Sequence, residues 1–255
     1  MKKKYVITIV ILSIIVFAIV LYSISLAIIS RPSFKISNYE SISNQGVLLL
    51  QAFDNDYAIG HMTSENNRKW AKKNKYDFKI YKDVTQGEKP HFMRYRAILE
   101  AFKDPNIKYV VYVDGDAVLS FDHNSLYKAK GKELTFGNEF LFHNHWGWLT
   151  KKSPINSGYI AAQNTPYVAN LFDKLLKSDS CKECRKKGCG LHGFKDQGCL
   201  DKLLKNRKIN KSKIGIIQVQ SRKWPTTSLL IHPAGTTDST FSNLKTAILH
   251  FKDRA

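Results

Sequence analysis

The chain is predicted to be α/β, a mixed and mainly parallel sheet flanked by helices, preceded by one N-terminal transmembrane helix. Three observations predict this. From Val47 onward, short apolar runs alternate with helical patterns, the order that builds parallel sheets covered by helices. Val6 to Ile29 carries no charged residue and follows Lys2, Lys3 and Lys4. The 255 residues are 43% hydrophobic and 12% aromatic, enough for one domain with a sizeable core.

At about 1.5 Å per residue, a helix over Val6 to Ile29 crosses a hydrocarbon core of roughly 30 Å. The lysines before it place residues 1–5 in the cytoplasm and the remainder on the luminal or outer side, as a single-pass type II protein. A cleaved signal peptide ending near Ser23-Ile24-Ser25 is the competing reading, but the apolar run exceeds the usual h-region. Residues 30–45, rich in Ser and Asn, read as a stem. The catalytic domain is expected over residues 46–255.

Within that domain, Val47 to Phe53 reads as a strand, Ser64 to Lys75 as a helix and Phe78 to Tyr81 as a strand. Phe92 to Phe102 reads as a helix leading into a strand from Lys108 to Val113, a Val- and Tyr-rich run preceded by Pro105 and Asn106. Further on, the pattern predicts a strand over Leu134 to Gly137, a helix over Pro166 to Lys177, and strands near Ile214 to Val219 and Ala247 to His250.

The Lys108 to Val113 strand ends in Asp114-Gly115-Asp116. Side chains at i and i+2 of an extended segment share a face, so both carboxylates reach one cation. Hard oxygen ligands suit Mg²⁺ or Mn²⁺, ions that retain open positions for substrate phosphates. Ligands in open α/β sheets bind outside the carboxyl ends of strands, where this motif falls. Alone, Asp-Gly-Asp also fits a polar turn.

The order of further motifs resembles the GT-A-fold glycosyltransferase family that includes fungal Golgi galactosyl- and mannosyltransferases and plant xyloglucan xylosyltransferases, glycosyltransferase family 34. Trp70-Ala71-Lys72-Lys73-Asn74-Lys75-Tyr76-Asp77 is similar to the family's A-x-x-H-G-Y-D, with Asn74 and Lys75 in place of His-Gly. Phe92-Met93-Arg94-Tyr95-Arg96-Ala97 resembles its W-x-K-x-x-A helix. Asn156-Ser157-Gly158 resembles its N-x-G element after a strand, Asp196-Gln197 its D-Q element opening a helix, and His250-Phe251 the H-F that supplies a third metal ligand.

The resemblance implies a retaining transferase that moves a hexose or pentose from a nucleotide sugar to a glycan or glycoprotein acceptor, with a UDP-sugar as donor and GDP-mannose second. It implies Mn²⁺ or Mg²⁺ held by Asp114, Asp116 and His250, and Asp196 and Gln197 as catalytic residues near the reacting sugar carbon. Ala52, Phe53, Arg94, Asp114, Asn156, Ser157, Gly158 and Lys252 are the implied donor contacts. Gly158 is read as free to adopt positive φ where backbone meets the donor. Trp146 and Trp148 offer an acceptor platform, and His143 and His145 a weak second metal motif.

Cys181, Cys184, Cys189 and Cys199 lie close together, consistent with two disulfides in an oxidising lumen or a structural zinc in a reducing compartment. The formal net charge is +19, but its lysines are spread along the chain without a helix-turn-helix, zinc-finger spacing or RNA-binding aromatic signature, so nucleic acid is not an expected partner. A metal-dependent nucleotidyl- or phosphotransferase and a membrane-tethered glycan-binding protein are the alternative functions.

Overall fold

The computed structural model describes residues 16–17, 39–82, 90–139, 155–186, 195–205, 210–221, 228–232 and 238–251. The chain divides into two compact units, Met1–Phe34 and Lys35–Ala255. Of the first unit, only Val16 and Phe17 are described, both helical and exposed. No helix among the described residues is long and apolar enough to cross a membrane; the rest of the predicted Val6 to Ile29 span lies outside them.

In the second unit the elements run β1 (Tyr39–Ile42), β2 (Val47–Ala52), α1 (Ala58–Lys73), β3 (Asp77–Tyr81), α2 (Met93–Ala101), β4 (Tyr109–Val113), β5 (Val118–Leu119), β6 (Leu126–Ala129), β7 (Leu134–Glu139) and β8 (Asn156–Gln163). They continue through α3 (Pro166–Lys177), α4 (Asp179–Lys186), α5 (Lys195–Lys205), β9 (Ile214–Ser221), β10 (Leu230–Ile231) and α6 (Asp238–Phe251). The main sheet has eight strands in the order β3-β2-β4-β8-β7-β9-β10-β5.

β2 pairs in parallel with β3 and β4, and β9 in parallel with β7 and β10. β8 is inserted antiparallel between β4 and β7, and β5 closes the edge antiparallel to β10. The carboxyl ends of β2, β4, β7, β9 and β10 therefore meet the amino end of β8 along one rim of the sheet. β1 forms a separate antiparallel pair with β6, so strand structure begins inside the stretch expected to be stem.

β4 is buried on both faces from Val110 to Val113, as its near-continuous apolar sequence requires. Alternate residues Leu48, Leu50, Val110, Tyr112, Phe136 and Ile160 join the largest core cluster, packed with Tyr95 and Ile98 of α2 and Phe172 of α3. A second cluster joins Ile59 of α1 to Val118, Ile231, Leu244, Ala247 and Phe251. The i, i+3, i+7 spacing of Leu244, Ala247 and Phe251 explains a correction: the run expected as a strand from Ala247 to His250 is the last turn of α6.

The inward face of α1 is polar, and it holds the backbone downstream of Asp114. Thr63 Oγ1 donates to the Gly115 carbonyl at 2.6 Å, and Asn67 Nδ2 to that of Ala117 at 2.9 Å. Asn67 Oδ1 accepts from the Leu119 amide at 2.8 Å, and Trp70 Nε1 donates to the Ser120 carbonyl at 3.0 Å. Each buried polar group is thereby satisfied, and the Gly115–Ser120 segment is tied to a helix at four backbone groups.

α1 ends in a Schellman motif. The Lys75 amide donates to the Lys72 carbonyl and the Tyr76 amide to that of Ala71, at 3.3 and 2.9 Å, while the Tyr76 ring stacks on Trp70. Lys75 takes the left-handed position at φ 60°, where the resembled family has Gly.

Candidate metal centre

Asp114, Asp116 and His232 each offer a ligand atom, and these atoms all lie within 4.8 Å of one another. Asp114 and Asp116 follow β4; His232 follows β10 on the same rim. His232 Nε2 is 3.2 Å from Asp116 Oδ1 and 3.5 Å from Asp114 Oδ2. Two carboxylates and one imidazole nitrogen converging at a strand-end rim fit a divalent cation.

Asp114 has its two oxygens divided between tasks. Oδ1 sits 3.1 Å from the Arg94 guanidinium and accepts from the Tyr112 hydroxyl at 2.9 Å. Oδ2 faces His232 and is the oxygen left for a cation. Burial raises the Asp114 carboxyl above its ordinary range and Asp116 adds to this, while Arg94 and His232 pull it down. The main chain of Asp114 is held too, its amide donating to the Gly158 carbonyl and its carbonyl accepting from Gln51 Nε2, both at 3.0 Å.

Arg94 is a buried bridge. Besides Asp114 it donates to Ser157 Oγ at 2.7 Å and lies 3.6 Å from Asp196 Oδ2. Burial opposes its charge, but Asp114 and Asp196 outweigh burial and hold it protonated. Asp196 Oδ2 also accepts from Ser157 Oγ at 2.6 Å and from the Tyr95 hydroxyl at 3.2 Å, and the residue is only 2% exposed. Gln197 Nε2 reaches Ser157 Oγ at 3.4 Å. Arg94, Ser157, Asp196 and Gln197 are thus brought together as one network beside the carboxylate pair, with Arg94 turned to internal carboxylates rather than outward.

Asn156 and Gly158 open β8 rather than follow a strand, and Asn156 Oδ1 accepts the Gly158 amide at 2.7 Å. The expected positive φ at Gly158 is not found: among the described residues the positive-φ glycines are Gly46 and Gly131. Gly158 is required for space instead, because a Cβ there would lie 2.5 Å from His232 Cε1. Ala52 and Phe53 are buried at the end of β2, where Phe53 packs against Gly115.

His250 is not brought to this cluster. It lies exposed in the last turn of α6, with its ring against Phe251, and His232 stands where the third ligand was expected. The signal for His232 was present: Leu229-Leu230-Ile231-His232 is an apolar run ending in a ligand type, like Val111-Tyr112-Val113-Asp114. Lys252, His143, His145, Trp146 and Trp148 lie outside the described residues. Cys181 and Cys199 form a buried disulfide between α4 and α5; Cys189 and the Cys184 side chain lie outside the described set.

Compared by sequence, the chain matches no protein-family model and no curated protein. Compared by structure, it aligns with a glycosyltransferase involved in glycosylation of the major capsid of PBCV-1, at TM-score 0.56 and 15% identity, over 80% of this chain and 98% of that one. It also aligns with the glycosyltransferase GlyE of Streptococcus pneumoniae TIGR4, at TM-score 0.47 and 11% identity, over 84% of this chain and 64% of that one. A third alignment is with the bifunctional glycosyltransferase WbbM, at TM-score 0.47 and 15% identity, over 82% of this chain and 50% of that one. The first of these likenesses shows the fold: the mixed sheet with its flanking helices is shared with that glycosyltransferase and fits a GT-A-like fold.

Proposed function

We propose that this chain is a metal-dependent glycosyltransferase that moves a sugar from a nucleotide-diphosphate donor, with a UDP-sugar first and a GDP-sugar second, to a glycan or glycoprotein acceptor. The observation that carries the reading is the convergence of Asp114, Asp116 and His232 at the carboxyl rim of a GT-A-like sheet. A bound Mn²⁺ or Mg²⁺ would supply charge stabilisation for the departing nucleotide diphosphate.

The protein groups prepare that site. Arg94 and Tyr112 occupy Asp114 Oδ1 and so direct Oδ2 to the cation position. α1 holds the Gly115–Ser120 backbone, so little reorganisation remains when the donor arrives. Asp196 is read as a positioning carboxylate rather than a base: it orients Ser157 at the start of β8 and Arg94 of α2, in keeping with a retaining reaction. Tethering through Val6 to Ile29, with the catalytic unit on the luminal or outer side, remains part of the proposal on the strength of the apolar run and its preceding lysines.

The test is nucleotide release by the purified full-length chain, offered UDP- and GDP-sugars with Mn²⁺, Mg²⁺ or EDTA. Release of one nucleotide that requires metal and is lost in Asp116→Asn supports the proposal and names the donor; the anomeric configuration of the product, read by NMR, reports retention. A folded protein that neither releases nor binds any nucleotide overturns it.

A further inference from the structure

We propose that Gln220 is a positioning residue that sets the tautomer of His232, so that Nε2 is the nitrogen presented to the Asp114–Asp116 pair. The inference rests on the metal-dependent reading above and names how one ligand is prepared.

His232 Nδ1 lies 2.9 Å from Gln220 Oε1, and both side chains are buried. The orientation of the Gln220 amide follows from its other contact. Its Nε2 donates to the Asn156 carbonyl at 3.5 Å, and a carbonyl oxygen only accepts. The amide oxygen therefore faces the imidazole, and since it too only accepts, Nδ1 carries the hydrogen. In the neutral and the charged ring alike, Nδ1–H stays with Gln220, and the nitrogen that can be bare is Nε2. That nitrogen faces Asp116 Oδ1 and Asp114 Oδ2.

Two glycines make room for this arrangement. A Cβ at Gly137 would strike the Gln220 amide nitrogen, and one at Gly158 would strike the His232 ring. Gln220 sits at the carboxyl end of β9 and His232 just past β10, strands paired in parallel, so the pair is set by sheet register. A hydrogen-bonded partner on the second ring nitrogen orients a ligating His and raises its donor strength.

The experiment uses the full-length chain, selectively ¹⁵N-labelled at His, and compares wild type, Gln220→Met and Gln220→Glu, with His232→Asn to assign the ring. Gln220→Met keeps the volume but loses the acceptor; Gln220→Glu keeps an acceptor oxygen. Free Mn²⁺ is followed by electron paramagnetic resonance during titration, and the ring tautomer by ¹⁵N–¹H correlation in metal-free protein. Gln220→Met is expected to weaken Mn²⁺ binding about 10- to 100-fold and to populate the Nε2–H tautomer, while Gln220→Glu restores most of the affinity and the Nδ1–H form. Unchanged Mn²⁺ affinity in Gln220→Met, or a wild-type ring that carries no hydrogen on Nδ1, overturns the inference. If Gln220→Met does not fold, the wild-type tautomer decides. Wild type that binds no Mn²⁺ while showing the Nδ1–H form overturns the metal reading and leaves the Gln220–His232 relation standing.

Discussion

His232 Nε2 stands 3.2 Å from Asp116 Oδ1, joining the end of β10 to the loop that follows β4. His250 has no part in that contact and lies exposed at the end of α6. His232→Ala is therefore expected to lower Mn²⁺ affinity by more than the roughly 100-fold that loss of an outer partner costs, and His250→Ala to leave it within a few-fold. Mn²⁺ titration of the two variants checks this; a larger loss in His250→Ala would restore the sequence-based ligand.

Gly158→Ala should imitate the loss of His232 without removing a ligand atom, because its Cβ would lie 2.6 Å from His232 Nδ1 and the ring must move. The expected outcome is weakened Mn²⁺ binding with near-native far-UV circular dichroism. Wild-type affinity would mean that the ring has another place to sit.

Arg94 is the buried cation between Asp114 and Asp196, at 3.1 and 3.6 Å. Arg94→Met leaves both carboxylates without it, and removal of one partner from a buried ion network costs about 3–5 kcal/mol. Urea unfolding of the metal-free protein is the measurement. A loss below about 1 kcal/mol would show that solvent replaces the guanidinium, since exposed ion pairs contribute no more than that.

Lys75 holds a left-handed conformation at φ 60° to close the Schellman motif of α1. A residue with a Cβ pays roughly 1–2 kcal/mol there, whereas Gly does not. Lys75→Gly is expected to stabilise the protein by about 1 kcal/mol, seen as a rise in Tm. A fall in Tm would mean that the unfolded-state entropy of the new Gly outweighs the relieved strain.

Tyr95 and Tyr112 are pushed well above the ordinary tyrosine range, first by burial and then by Asp196 and Asp114 respectively. A group whose folded pKa is raised stabilises fully below its unfolded pKa, here about 10, and loses that contribution as pH rises above it. Stability should decline above about pH 10 by up to roughly 1.4 kcal/mol per pH unit for each residue. Tyr112→Phe should flatten the decline; an unchanged slope in unfolding experiments across that range would refute the assignment.

Local pattern was sufficient for much of the fold. β2, β3, α2, β4, α3 and β9 fall within a few residues of their expected spans because strand and helix periods are written in adjacent residues. The Asp114–Asp116 pair was legible for the same reason, since a period of two places both carboxylates at the end of one apolar strand. α6 was misread at Ala247 to His250, where the longer i, i+3, i+7 spacing of its buried residues outweighs a short apolar run.

The partners of that pair were another matter. Which of several histidines completes the cluster depends on which strand end lies on the same rim, and β10 reaches it through pairings with β9 and β5 that no neighbouring residue encodes. Thr63, Asn67 and Trp70 of α1 are buried against carbonyls some fifty residues away, partners that their own neighbours in the sequence do not name. Arg94, Ser157 and Asp196 likewise meet through burial against one another. Periodicity and strand-end chemistry are local and survive in the sequence; hydrogen-bond partners and ligand sets are distances between remote segments, and these come into being when the sheet is assembled.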